Sequence, residues 1–338
     1  MTLTKPSLAE SDGSAPRSGP GVGPAVAVVV LVGLAALVPL LGPSAALHGT
    51  GEAAAPGAGG IGLLRTVLFA ALCVPVGELF VRRLARSVPG APLPLPRSWA
   101  PQAAGAGFVA ALGLASVVST GNLVPDSPSD LDIGGLYASR DGKLALLEVN
   151  AFAVAALCAL SSRPATQVWP LAAVVVAEAL RAHPTTEHGP LLGSALTLVH
   201  LTCASLWAGG LLYALRTLRG RGAGETGAAG AALLGLYARV AAVLLAVITA
   251  TGVWSSLRRM PSDTILGQLT ETAYGRALLA KVILVVAVAA LALWARIRLR
   301  RAADPLTACS PARAEVVALG GVVALSGLLT ALPVPIRW

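Results

Sequence analysis

Pro190-Leu-Leu-Gly-Ser-Ala-Leu-Thr197-Leu-Val-His200-Leu-Thr-Cys203-Ala-Ser-Leu-Trp207-Ala-Gly209-Gly210 is a long apolar run with a single ionisable nitrogen base inside it. Proline suits the first turn of a helix, where its missing N–H leaves nothing unsatisfied. A run of this length without acid or base side chains at its ends reads as a membrane-spanning helix. His200 is then costly where it stands, and an ionisable group inside a membrane marks a functional site by default. Similar runs recur along the whole chain. The 338 residues are 55% hydrophobic and 12% charged, with a mean hydropathy of +0.76. Soluble domains carry about 25% charge. The fold class is therefore all-α, a polytopic transmembrane bundle.

Nine spans are expected, at about 24–43, 61–81, 101–124, 144–162, 165–182, 190–214, 231–256, 275–295 and 315–334. Residues 1–23, rich in Ser, Gly and Pro, read as a disordered cytoplasmic tail. Residues 24–182 form an N-terminal five-helix membrane region and 183–338 a second region of four helices. Ser44-Ala45-Ala46 could end a cleaved leader, but the preceding tail and apolar run are both long for one.

The net charge of +9 raises the question of nucleic acid. The basic residues instead gather in short loops, without aromatic interleaving, so nucleic acid is not an expected partner; the lipid bilayer is. Arg82, Arg83, Arg86 and Arg97, then Arg216, Arg219 and Arg221, then Arg296, Arg298, Arg300, Arg301 and Arg313 all fall on one side of the nine spans. The positive-inside rule puts that side, and the N-terminus, in the cytoplasm, with the C-terminus outside. Trp99, Trp169, Trp254 and Trp294 lie near span ends as interfacial anchors, whereas Trp207 lies well inside its span. Cys73, Cys158, Cys203 and Cys309 are far apart and form no CxxC pair or disulfide framework.

This orientation places His48, His183 and His188 on the outer side. His200 lies about 14 Å inward at 1.5 Å per residue, near the midplane. His200, Cys203 and Trp207 share one face, at i, i+3 and i+7. Imidazole and thiolate together suit copper, so His200 and Cys203 are candidate metal ligands, with His183 and His188 marking a line to them from the outer surface. Glu178, Trp207 and Lys281 are candidates for a pathway or for helix pairing. Each has a plainer reading: an isolated histidine in a bundle is often a hydrogen-bond partner, His183 and His188 could be ordinary loop residues, and most intramembrane charges pair structurally. Gly209 and Gly210 would admit another helix at close range.

Over roughly 180–334 the residues resemble the CopD family, the copper resistance D domain of bacterial inner membranes. The resemblance rests on the histidine-bearing outer loop and on His200-Leu-Thr-Cys-Ala-Ser-Leu-Trp207-Ala-Gly209-Gly210. It continues through Tyr237-Ala-Arg239, Thr251-Gly252, Thr272-Ala-Tyr274-Gly275-Arg276 with Lys281, and Glu315. It implies copper, Cu(I) or Cu(II), handled at the cytoplasmic membrane, with His183, His188 and His200 as ligands. Cys203 stands where the family has a small apolar residue. The resemblance also implies an extracytoplasmic copper-binding CopC-like protein as partner.

The expectation is a copper transport protein rather than an enzyme. No ATP-binding GxxxxGK[ST] motif is present to power it. A haem-binding or oxidase-assembly protein is the alternative, although His200 has no second mid-membrane histidine to face. A non-transporting scaffold for a copper chaperone is another.

Overall fold

The computed structural model describes residues 22–53, 55–88, 95–123, 127–183, 189–219, 226–260, 264–301 and 309–333. Among them the chain is helical, in the order α1 (Val22–Leu47), α2 (Ala58–Ala85), α3 (Ala100–Thr120), α4 (Ile133–Ala138), α5 (Arg140–Leu160), α6 (Val168–Arg181), α7 (Pro190–Arg219), α8 (Thr226–Arg259), α9 (Ile265–Glu271), α10 (Ala273–Arg301) and α11 (Cys309–Leu329). Residues 1–21 of the tail and His188 lie outside the described residues, and Val22 and Gly23 already belong to α1.

Every expected span contains one of these helices, but they are not equal. Among the described residues six are long and apolar enough to cross a bilayer: α2, α3, α5, α7, α8 and α10. Helix α6 has 14 residues, about 21 Å against a hydrocarbon core of about 30 Å. The described apolar parts of α1 and α11 run over Ala35–Leu47 and Val316–Leu329. Helix α1 does not stop at Pro43. It continues through Pro39 and Pro43 to Leu47, because neighbouring helices support a proline in a membrane helix.

The two short helices α4 and α9 were not expected. Side chains set their junctions. The Asp132 carboxylate accepts from Gly135 N–H at 2.8 Å to start α4, and Ser139 Oγ accepts from Gly142 N–H at 3.0 Å to start α5. Thr272 Oγ1 accepts from Gly275 N–H at 3.0 Å and caps α10. The α9–α10 turn folds back so tightly that a Cβ on Gly275 would lie 2.0 Å from the Gln268 carbonyl oxygen. Arg276 closes the corner through the Thr270 carbonyl at 2.7 Å and the His48 carbonyl at 2.6 Å. The Thr272-to-Arg276 motif therefore works here as a latch between α9, α10 and the end of α1.

Helix α2 is the hub, packed against α1, α3, α6, α7, α8 and α11. On one flank Leu68 and Leu72 meet Leu114, Phe152, Leu171 and Val174. On the other, Val81 meets Trp207, Leu211, Tyr237, Val288 and Leu319. Lipid tails are as apolar as leucine, so such contacts hold helices together by fit rather than by expelling water. The fit is closest between α2 and α7. A Cβ on Gly77 would lie 2.0 Å from the Gly209 carbonyl carbon, and one on Gly209 would lie 1.8 Å from the Cys73 carbonyl oxygen. Only glycine at both positions lets these backbones touch.

Candidate functional site

Charged residues sort to the two ends of α2. At one end Arg65 pairs with Glu178 of α6. Arg181, one turn further along α6, reaches Glu178 at 3.5 Å and Glu148 of α5 at 2.8 Å. Two arginines and two glutamates thus form a neutral buried chain across three helices, and Glu148 is only 1% exposed. Paired charges are the form in which such groups are tolerated in a membrane. At the other end Glu78, also 1% exposed, holds Arg82 at 2.7 Å and accepts from Trp99 N–H at 3.3 Å. Arg82 Nε donates to the Tyr213 hydroxyl at 3.1 Å, and Arg216 stacks on the Trp99 ring at 3.3 Å. Arg65 and Arg82 are 17 residues apart, about 25 Å along the helix. The two girdles are therefore spaced roughly as the edges of a hydrocarbon core are.

The pairing corrects one expectation and refines another. Glu178 is joined to Arg65 and Arg181, not to Lys281. Lys281 is in no ion pair among the described residues.

Helices α2 and α7 run in the same direction, with Gly77 beside Gly209 and Arg82 beside Tyr213. That register, extended outward, puts Thr197 level with Arg65; Leu201 packing on the cluster of Leu68 and Leu72 agrees with it. His200 therefore sits one turn, about 5 Å, inward of the charged chain.

His183 is buried, although it follows the last turn of α6. It is 3% exposed, turned inward against the start of α7. Its Nε2 lies 3.0 Å from Thr197 Oγ1, and a Cβ on Gly193 would lie 2.4 Å from its Nδ1. Arg140 holds the turn by donating to the Leu180 carbonyl at 2.8 Å and the His183 carbonyl at 3.4 Å. Gly193, Thr197 and His200 are spaced i, i+4, i+7 on one stripe of α7. The structure thus brings His183 to the same stripe that carries His200.

His200 turns toward α8. Its Nδ1 lies 2.9 Å from Thr251 Oγ1, and its Cε1 would lie 3.5 Å from a Cβ on Gly252. Cys203 is partly buried and packs on the apolar cluster around Trp207 and Leu211, with no described contact to His200. Trp207 is 3% exposed in that cluster, and its backbone carbonyl accepts the Tyr237 hydroxyl at 2.5 Å. It joins α7 to α8. Among the described residues no three His, Cys, Asp or Glu side chains converge as a metal cage.

Sequence reading missed Arg65 and Thr197, and met Thr251 only as part of a Thr-Gly motif without a role. Arg65 had a visible signal, a cation inside an apolar run. Thr197 had none, because a hydroxyl on a membrane helix usually bonds its own backbone.

Helices of this length joined by buried ion pairs define a multi-pass helical membrane protein. Residues 231–329 match the family Copper resistance protein D (CopD). No curated protein and no solved structure matches the chain. The matched segment carries the motifs at Tyr237, Thr251-Gly252 and Tyr274-Gly275-Arg276, and Lys281. It ties that part of the chain to copper resistance and stops short of His183, His200 and Cys203.

Proposed function

We propose that this protein moves copper across the cytoplasmic membrane through separated ligands on the α7 stripe, with copper as cargo rather than a resident cofactor. His188 and His183 receive the ion at the outer face and His200 takes it one turn inward, with Cys203 as a further soft ligand on the same helix. The observation that carries this reading is that His183 packs against the α7 stripe that bears His200, level with the neutral Arg–Glu chain, with His200 one turn inward. Spaced ligands bind an ion strongly enough to admit it and weakly enough to release it. His183 has to exchange its Thr197 partner for copper to serve, which suits a transfer station better than a closed site. The reading takes the nine-span topology with a cytoplasmic N-terminus and outward C-terminus, a carrier rather than an enzyme, and a CopC-like protein as the outer donor.

The test is copper accumulation in cells expressing the parent, His188→Ala or His200→Ala at matched membrane levels. A change on expression of the parent that is lost in both variants supports the reading and fixes the direction of transport. Accumulation identical in parent and variants would refute the ligand assignment.

A further inference from the structure

Thr251 has one hydroxyl hydrogen and three neighbours for its oxygen. The Val247 carbonyl lies at 2.8 Å, the Ile248 carbonyl at 3.1 Å and His200 Nδ1 at 2.9 Å. A carbonyl oxygen can only accept, so the hydrogen points back along α8, the usual habit of a threonine in a helix. What the hydroxyl offers His200 is then a lone pair. Nδ1 must carry the proton to make the bond, and the neutral ring keeps its free lone pair on Nε2. Which ring nitrogen can bind a metal is set by the hydrogen bond that the other makes. The Ile248 backbone carbonyl is a second acceptor for a ring N–H of His200.

We propose that Thr251 is a positioning residue that holds His200 in the Nδ1–H form and so presents Nε2 as the copper-facing nitrogen. The proposal rests on the reading of His200 as a copper ligand and adds the atom and its support. Partners of this kind fix ring orientation and raise ligand basicity, and their loss lowers metal affinity by about 10–100-fold. The bond also crosses from α7 to α8, so a segment that matches the copper resistance family supplies the support and the neighbouring helix supplies the ligand.

The test uses the full chain, labelled with 15N-histidine and reconstituted in liposomes without metal. Only four histidines are present, and a His200→Ala spectrum identifies the signal of interest. Solid-state NMR separates protonated from bare ring nitrogens. The parent is expected to show Nδ1–H at His200, Thr251→Ser to keep it, and Thr251→Val to lose it. In a second arm, Cu(I) is titrated against a chromophoric chelator. Thr251→Val is expected to weaken binding by about 10–100-fold, with Thr251→Ser returning it to near the parent value. An Nε2–H tautomer in the parent, or an unchanged tautomer in Thr251→Val, overturns the positioning role. Parent-like copper affinity in His200→Ala overturns instead the copper reading beneath it, whichever tautomer the spectrum shows. Rescue by Thr251→Ser separates loss of the hydroxyl from loss of fold.

Discussion

Replacing Arg65 by methionine should destabilise the bundle more than any single change at an exposed helix face. The substitution keeps the length of the side chain and removes its charge. Arg181 would then serve two carboxylates, Glu148 at 2.8 Å and Glu178 at 3.5 Å. At an effective dielectric constant of about 20, unit charges at those separations attract by about 6 and 5 kcal/mol before desolvation is subtracted. Arg65 supplies an interaction of similar size to Glu178. Desolvation cancels much of it while the pair is intact, but an orphaned partner still bears the cost of burial, and breaking a buried pair typically costs about 3–5 kcal/mol. Arg65→Met is therefore expected to lose about 3–5 kcal/mol. The charge-balanced double variant Arg65→Met/Glu178→Gln should recover a large part of that loss. The assay is reversible unfolding in mixed detergent micelles, followed by circular dichroism, as a double-mutant cycle. A single-variant loss below about 1 kcal/mol, in the range of an exposed ion pair, would refute the argument. So would a double variant no better than the sum of the two singles.

Gly209→Ala should push α7 away from α2, since the new methyl would lie 1.8 Å from the Cys73 carbonyl oxygen; a loss of about 1–3 kcal/mol or more, read as earlier aggregation on heating in detergent, checks it. Gly193→Ala places a carbon 2.4 Å from His183 Nδ1, so it should reproduce the copper accumulation of His183→Ala; parent-like accumulation beside a defective His183→Ala would contradict the packing. Thr272→Ala removes the cap of α10 at a cost of about 0.5–2 kcal/mol, whereas Thr272→Ser should stay near the parent in the same unfolding assay.

Much of the architecture was legible from hydropathy alone. All nine expected spans contain helix, because backbone groups in lipid have no other local way to be satisfied. What hydropathy cannot carry is register between helices. Glu178 was open to pairing with Lys281 on sequence grounds, and only the packing of α2 against α6 shows that Arg65 is its neighbour. Depth has the same need: counting from Leu191 gives a distance along one helix, whereas the contact of Gly77 with Gly209 relates His200 to Arg65 on another. His183 read as a loop residue because it follows the last turn of α6. Its burial depends on Gly193, a partner ten residues away across a helix junction. The small residues at Gly209 and Gly210, by contrast, announced a close helix approach directly.

Backbone meeting backbone at Gly77 and Gly209 leaves no side chains there to change rotamer. Such a joint has little give, and α2 and α7 travel as one beam. The histidines borne by that beam and by the turn leading into it are then fixed posts. In the proposed transport, an ion would then advance past them by exchanging partners rather than by being carried on a moving helix.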